Sequence, residues 1–397
     1  MSVYPDVFIV GAARTPIGKF LGGLAPLKAS DLGAIAIREA MSRAGIGGKD
    51  VDEVLMGHVV QGGQGQAPAR QAQIKAGIDP FVGAVTINKV CGSGLKAVML
   101  GAQAIKAGDA DCIVAGGQES MSTAPHYLFT GRTGMKLGDT ALKDGAVFDG
   151  LWCSFNDCHM IELAQYTAEK AKLTREEIDA FSVKSHQKAA AAWQACRFSK
   201  EVVPVSIPQR KGDPIVIAKD ESIRPDTTAE GLAKLGPVTR DKGGMITAGN
   251  APGLNDGGAA LVLMSGARAK ERGAKPLARV VAYATGGGEP KDLFFAPIDA
   301  VEKLMKKMGV KIDHFDLIEA NEAFAAQAVA DGKALGWDWD RVNVNGGAVA
   351  LGHPIGASGA RVLVTLVHAL EQQGKKTGLA TLCLGGGNAV ALAVERV

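Results

Sequence analysis

The side chains best suited to bond-making chemistry in this chain are a cysteine and a histidine, each set among glycines. Cys91 lies in Asn88-Lys89-Val90-Cys91-Gly92-Ser93-Gly94-Leu95-Lys96-Ala97. A thiol at the start of a helix meets free amide N–H groups and the positive end of the helix dipole, which favour the more nucleophilic thiolate. Gly92 and Gly94 allow a sharp turn and close approach by a substrate. His353 stands between Gly352 and Pro354 in the run Asn345 to Gly359. That fixed, open backbone gives a histidine the placement a base needs. Cys383 leads Cys383-Leu384-Gly385-Gly386-Gly387, and Asn321 opens Asn321-Glu322-Ala323-Phe324. Cysteine with histidine suggests an activated thiol nucleophile, and a second thiol beside glycine amides suggests a base near an oxyanion hole. Plainer readings compete. Free cysteine is commonly just a small buried hydrophobe, and the Cys91 stretch alone suits that role equally well. Cys153, Cys158 and His159 lie close together, but no second ligand pair has zinc-site spacing, so no metal is expected.

The elements that must position these groups read as alternating strands and helices. Gly83 to Val90 is extended and rich in β-branched residues, and Leu95, Val98, Met99, Ala102 and Ile105 fall at helical spacing up to Gly108. Cys91 therefore falls on a strand-to-helix turn. Val7 to Val10, Val51 to Val60 and Cys112 to Ala115 read as strands, and Asp31 to Ala44 as a helix capped by Ser30. Gly18-Lys19 hints at a phosphate loop, but its glycine spacing is wrong and no Ser or Thr follows. The alternation predicts a largely parallel, two-sided sheet. From Glu119 to about Gly249 the chain turns polar and irregular, with helices expected from near Asp157 and over Thr174 to Trp193. Regular patterning returns at Leu261 to Met264, Ala278 to Ala284 and from Pro297 onward.

A weak internal echo links the ends. Gly94 is followed 23 residues later by Gly117, closing the strand Cys112 to Ala115. Ser358-Gly359-Ala360-Arg361 likewise precedes a helix (Val362 to Leu370), then a strand Leu379 to Leu384 and Gly385-Gly386. Two related halves would produce this, and so would any two unrelated α/β units.

Composition sets the bounds. At 397 residues two or three compact units are expected, and a net charge of +3 implies no nucleic-acid or other polyanion partner. The six cysteines contain no C-x-x-C pair, against a disulfide framework or paired zinc ligands. No apolar run has membrane-spanning length, Met1 leads almost directly into a strand, and Glu395-Arg396-Val397 is no peroxisomal tripeptide. A cytoplasmic protein without a membrane partner is the expectation.

The chain resembles the thiolases, and within them the biosynthetic acetoacetyl-CoA thiolases. The resemblance rests on Arg14 to Phe20, Asn88 to Ala97, Gly116 to Pro125, Asn250 to Gly257, Asn321 to Phe324, Gly352 through Gly359 and Cys383 to Gly387, in the family's order across the whole chain. It implies an α/β thiolase fold in which two related halves form a five-layered α-β-α-β-α core. Residues 1–118 and 250–272 would be the N-terminal half, 119–249 an inserted loop domain, and 273–397 the C-terminal half. It further implies reversible condensation of two acetyl-CoA to acetoacetyl-CoA plus CoA by ping-pong chemistry, with coenzyme A thioesters as substrates and no resident cofactor. Cys91 would carry the acyl group. His353 would take its proton and, with a water held by Asn321, stabilise the second thioester oxygen. Cys383 would move the proton at C2, and the amides of Cys91 and Gly385 would form the other oxyanion hole. His159, Met160, Arg224, Ala248, Pro252, Ala323 and Phe324 would contact substrate or CoA. A loop such as Ser122 to Asp139 would join dimers into a homotetramer. Departures from the family pattern at Ile161, Leu163, Pro252, Phe294 and Phe295 leave acyl-chain length open, and a degradative 3-ketoacyl-CoA thiolase is the nearest alternative. A non-catalytic acyl-CoA-binding subunit would not need all four of Cys91, His353, Cys383 and Asn321. The Cys383-Leu-Gly-Gly-Gly turn points away from carrier-protein-dependent condensing enzymes.

Overall fold

The computed structural model describes residues 5 to 397; the short leader-free start expected at Met1 lies outside them. Nine long strands build two sheets of matching order. In the first, Gly83–Ile87, Glu53–Gly57, Cys112–Ser120, Asn255–Ser265 and Val7–Arg14 lie side by side. In the second the order is Leu317–Ala320, Thr377–Leu384, Asn388–Arg396 and Ala278–Gly287. A bridge from Ile318 to Val342 occupies the place that Gly83–Ile87 holds in the first. The sheets touch edge to edge at only two residue pairs, Phe8 with Arg279 and Ile9 with Ala278. The internal echo is thus a repeat of topology.

The pairing is mixed rather than largely parallel. Glu53–Gly57 runs parallel to both its neighbours, and Leu317–Ala320 is parallel to Thr377–Leu384. The remaining long pairs are antiparallel. Thr377–Leu384 and Asn388–Arg396 are joined only by the tight Gly385–Gly387 turn, which can form a hairpin but not a parallel crossover. Asn255–Ser265 enters from the far side of the irregular middle segment, so no helical crossover fixes its direction either.

Five layers follow from where apolar side chains go. The helices Ser93–Ala107 and Ile355–Gln372 are sandwiched between the sheets, with Leu95, Val98, Leu363 and Leu366 meeting Ile113 and Leu263 on one side and Leu382 and Leu392 on the other. Outside the first sheet, Ile37 and Ala40 of the helix Ala29–Ala44 cover Val54, Val114 and Val262. Outside the second, Ala300 and Leu304 of the helix Ala296–Met308 cover Leu379 and Ala391. Ile355–Gln372 is buried continuously from Ile355 to Leu370, so its pattern carries no polar face. It begins at Ile355, earlier than the periodicity predicts, and takes Gly356 and Gly359 into its first turns. Gly359 is there for helix contact: a Cβ on it would sit 2.4 Å from the Leu95 backbone nitrogen, and one on Gly94 2.6 Å from that of Ala360. The two central helices therefore meet N-terminus to N-terminus, aiming both positive dipole ends at one region.

Other boundaries shift slightly. The second strand covers Glu53–Gly57, Ala29–Ala44 starts beyond Lys28 rather than at Ser30, and a short hairpin precedes the helix Met160–Lys170 that was expected near Asp157. Thr174 caps Arg175–Gln194 as a capping box with Glu177. Arg14, fully enclosed, pairs with Glu201 at 2.6 Å and Asp220 at 2.7 Å and so ties the first strand to the irregular middle, a structural role. No helix among the described residues is long and apolar enough to cross a membrane.

Candidate active site

Cys91 stands where the strand Gly83–Ile87 gives way to the helix Ser93–Ala107. The turn is tightly specified. Val90 amide donates to Asn88 Oδ1 (3.0 Å), Lys89 amide to Ser93 Oγ (2.8 Å), and Ser93 Oγ to the Val90 carbonyl (2.6 Å). Val90 is held at φ 46°, a strained conformation for a β-branched residue, of the kind that persists where neighbours over-determine it. A Cβ on Gly92 would overlap Leu384 Cδ2 at 2.0 Å, so only glycine lets this turn approach the Cys383 strand.

The Cys91 thiol does not become the thiolate that its position at a helix start predicts. Burial pushes it up to about 12, outweighing the amide N–H groups of Cys91 and Gly385 that act the other way, and the Glu119 carboxylate adds to the rise. Desolvation therefore outweighs the favourable amide contacts at the turn. The thiol is neutral at rest and needs a base.

His353 can be that base. Burial holds it neutral, with its pKa lowered to about 3 and Arg361 acting in the same direction. Ser358 Oγ donates to the Pro354 carbonyl at 2.9 Å and lies 2.6 Å from His353 Nδ1, so the hydroxyl, its proton already used, accepts from Nδ1–H. That assignment leaves Nε2 without a proton, as an acceptor. Asn321 Nδ2 lies 3.5 Å from Nε2, and Asn321 Oδ1, fully buried, has no partner among the described residues. The His353 amide donates to Asn255 Oδ1 at 2.8 Å. Gly352 sits at φ 111°, where a Cβ would strike the Asn255 side chain at 2.6 Å.

Cys383 is the penultimate residue of the strand Thr377–Leu384 and is buried. Desolvation first, then Cys91 and Asp331, raise its pKa well above the ordinary thiol value. One apolar pocket receives Cys91, His353, Cys383 and Gly385, and His159, Met160, Pro252, Ala323 and Phe324 form its walls with Ile161 and Phe294. His159 also caps the helix Met160–Lys170, its Nδ1 accepting from the Ile161 amide at 3.1 Å, and burial keeps its pKa low. Leu163 is buried in the adjoining core and Phe295 packs against it. Asn321 lies behind His353, outside the lining. Arg224 and Ala248 are surface residues away from these walls, and Arg224 leans on His186. Among the described residues no group of three or more His, Cys, Asp or Glu side chains gathers as metal ligands would.

Sequence reasoning missed Glu119 and Ser358. Glu119, fully buried, accepts from the amides of Val59 (3.1 Å), Val60 (3.2 Å) and Gly356 (2.9 Å), clamping the start of the second central helix beside Cys91. A carboxylate near the end of a fully buried strand, between Gln118 and Ser120, was the available signal. For Ser358 it was a hydroxyl one helical turn after Pro354.

Family models describe what this arrangement belongs to: residues 7–267 match the thiolase N-terminal domain and residues 274–396 the thiolase C-terminal domain. The chain belongs to the thiolase family. An acetyl-CoA acetyltransferase of Pseudomonas aeruginosa is 54% identical over 391 residues, covering 98% of this thiolase and 99% of that protein. One from Escherichia coli is 51% identical over 390 residues, covering 98% of each. The crystal structure of the Bacillus anthracis acetyl-CoA acetyltransferase superposes with a TM-score of 0.97 at 42% identity, covering 99% of both chains. The fold is the thiolase fold.

Proposed function

We propose that this thiolase is an acetyl-CoA C-acetyltransferase, condensing two acetyl-CoA reversibly to acetoacetyl-CoA and CoA. The observation that carries the reading is the convergence of two neutral thiols, a neutral imidazole with an unprotonated Nε2 and Gly385 on one apolar pocket.

In the first half-reaction Cys91 Sγ attacks the thioester carbonyl while His353 Nε2 takes its proton. Charge on the carbonyl oxygen is met by the Cys91 and Gly385 amides, fixed donors in a pocket of low polarity. The CoA thiolate leaves with the Cys383 proton, giving acetyl-Cys91 and a Cys383 thiolate. Because burial makes that thiolate costly, it is a strong base for its size, as removal of a C2 proton requires. In the second half-reaction Cys383 takes the C2 proton of another acetyl-CoA. His353, carrying the proton from Cys91, and a water anchored by Asn321 neutralise the enolate oxygen. The enolate carbon attacks acetyl-Cys91, acetoacetyl-CoA leaves, and the Cys91 sulfur recovers its proton from His353.

The segment 119–249 serves as the loop domain in this reading, between halves made of 1–118 with 250–272 and of 273–397. Its support is the wall built by His159, Met160 and Ile161. Arg224 and Ala248 are proposed to meet the outer part of CoA from the surface. Phe129, Met135 and Leu137 lie exposed between Ser122 and Leu142, apolar surface suited to joining dimers into a homotetramer. The enzyme is proposed to work in the cytoplasm.

The test is the ratio of thiolysis rates for acetoacetyl-CoA and longer 3-ketoacyl-CoAs, with trapping of the acyl group on Cys91. Preference for the four-carbon substrate is expected. Preference for longer chains would overturn the acetyl specificity in favour of a degradative thiolase, and covalent acyl on Cys383 would overturn the residue roles.

A further inference from the structure

Two thiols that the reaction does not use face each other beside the pocket. The strands Trp152–Cys153 and Cys158–His159 form a small antiparallel hairpin in which Cys153 pairs with Cys158. Directly opposed residues of an antiparallel pair have Cα atoms about 4.5 or 5.5 Å apart, and both separations lie within the span a disulfide accepts. The hairpin loop is pinned from within: Asn156 Nδ2 donates to Cys153 Sγ at 3.2 Å, and Trp152 Nε1 donates to Asp157 Oδ1 at 3.0 Å. Cys153 is buried and Cys158 half-buried, so one thiol can be reached from solvent and the other waits behind it.

We propose that Cys153 and Cys158 form a reversible dithiol–disulfide site, oxidised by small-molecule disulfides, that stiffens one wall of the active site. Cys158 thiolate attacks one sulfur of the incoming disulfide, and the first low-molecular-weight thiolate leaves. Cys153 then attacks the mixed disulfide at Cys158 Sγ, the Cys153–Cys158 bond forms, and the second thiolate leaves. The two cysteine protons end on the two released thiols, and the pair gives up two electrons to the reagent. Closing so short a loop costs little entropy, so the second step outruns release of the adduct. Burial and the neighbouring Cys153 raise the Cys158 thiol, which slows the first step and sets the assay at mildly alkaline pH.

The hairpin bears on the site at three points. Gly150 and Leu151 line the pocket immediately before the first strand, and His159 and Met160 line it at the end of the second. At the tip, Phe155 lies over the Cys383 turn: a Cβ on Gly386 would be 3.2 Å from its Cε2. Gly386 follows Gly385, whose amide acts on the Cys91 sulfur. Crosslinking the strands therefore restrains the pocket wall and the ring resting on the oxyanion turn together. This coupling rests on the proposed acyltransferase reading, whereas formation of the bond does not.

The whole reduced enzyme is incubated with oxidised glutathione at pH 8.5, quenched with iodoacetamide and digested with trypsin. Both cysteines fall in one peptide, Asp144 to Lys170. That peptide is expected to lose two hydrogen atoms, to take no iodoacetamide, and to recover both thiols with dithiothreitol. Cys158→Ser should show neither change while turning over normally when reduced. In the wild type, oxidation should lower kcat/KM for CoA roughly threefold or more, as when a wall that must yield is held. The inference is overturned if the peptide keeps two alkylatable thiols or holds a lasting glutathione adduct on Cys158. A disulfide without a change in kcat/KM overturns the coupling. Failure of the acyltransferase reading shows separately, as absent turnover in the reduced protein.

Discussion

Removing His353 should change how the reactivity of Cys91 depends on pH, more tellingly than it changes turnover. With the thiol pushed up to about 12, only about one Cys91 in ten thousand is thiolate at pH 8, against roughly a quarter of ordinary cysteines near 8.5. A sulfur relying on its own ionisation would thus be alkylated more than a thousandfold too slowly. In the wild type, His353 accepts the proton during attack, and with its pKa near 3 it is in the accepting form throughout the accessible range. The rate of carboxamidomethylation of Cys91 by iodoacetamide should therefore be nearly flat from about pH 5 to pH 8 in the wild type. In His353→Ala it should be far lower and rise about tenfold per pH unit, with no plateau below pH 10. The assay follows the peptide Val90 to Lys96 by mass spectrometry, with Cys91→Ser as the blank. A plateau near pH 8.5 in the variant would mean that Cys91 ionises like an exposed thiol, and the desolvation reasoning would be refuted.

Cys383→Ser should still take up labelled acetyl on Cys91, since a CoA thiolate can leave and be protonated by water. It should lose condensation and deuterium exchange at C2 of acetyl-CoA together, because a serine hydroxyl is a poor base; exchange at the wild-type rate would assign the base elsewhere. Gly359→Ala places a methyl 2.4 Å from the Leu95 backbone. Forcing the central helices apart should cost about 1–3 kcal/mol in urea unfolding and slow turnover, whereas a neutral substitution would contradict the close contact. Burial pushes Glu319 up to about 8 despite its 3.2 Å contact with Arg361, so the folded state holds this proton more tightly than the unfolded chain. Its stabilising contribution is complete below about pH 4.5 and is lost as pH rises through 8. Urea midpoints should fall across that window, less steeply in Glu319→Gln; an unchanged slope in the variant would reject the assignment.

Much of the site was legible because its signals are local. A strand of β-branched residues, two glycines and a 3.6-residue period place Cys91 on its turn whatever surrounds it. A histidine between Gly352 and Pro354, and a cysteine before three glycines, declare themselves by neighbours in the chain. Strand direction was not local. Alternating strands and helices suggested parallel pairing, but the three-residue turn after Leu384 and the long excursion before Asn255 both permit antiparallel partners, which hydrogen bonding then chose. Nor could periodicity find the true start of Ile355–Gln372, because a helix buried on every side has no polar face to mark its phase, and Gly359 answers to another helix. Arg224 and Ala248 lie outside the pocket lining, a placement that residue type alone does not give. The ionisation of Cys91 was the largest reversal. A helix N-terminus can be read from sequence and argues for a thiolate. What surrounds the sulfur is set by clusters that include Leu384 and Ile355, hundreds of residues away. The sequence by itself chose the reacting groups, and only the tertiary structure decided that they rest as neutral thiol and neutral imidazole, since desolvation depends on everything packed around a group and not on its neighbours in the chain.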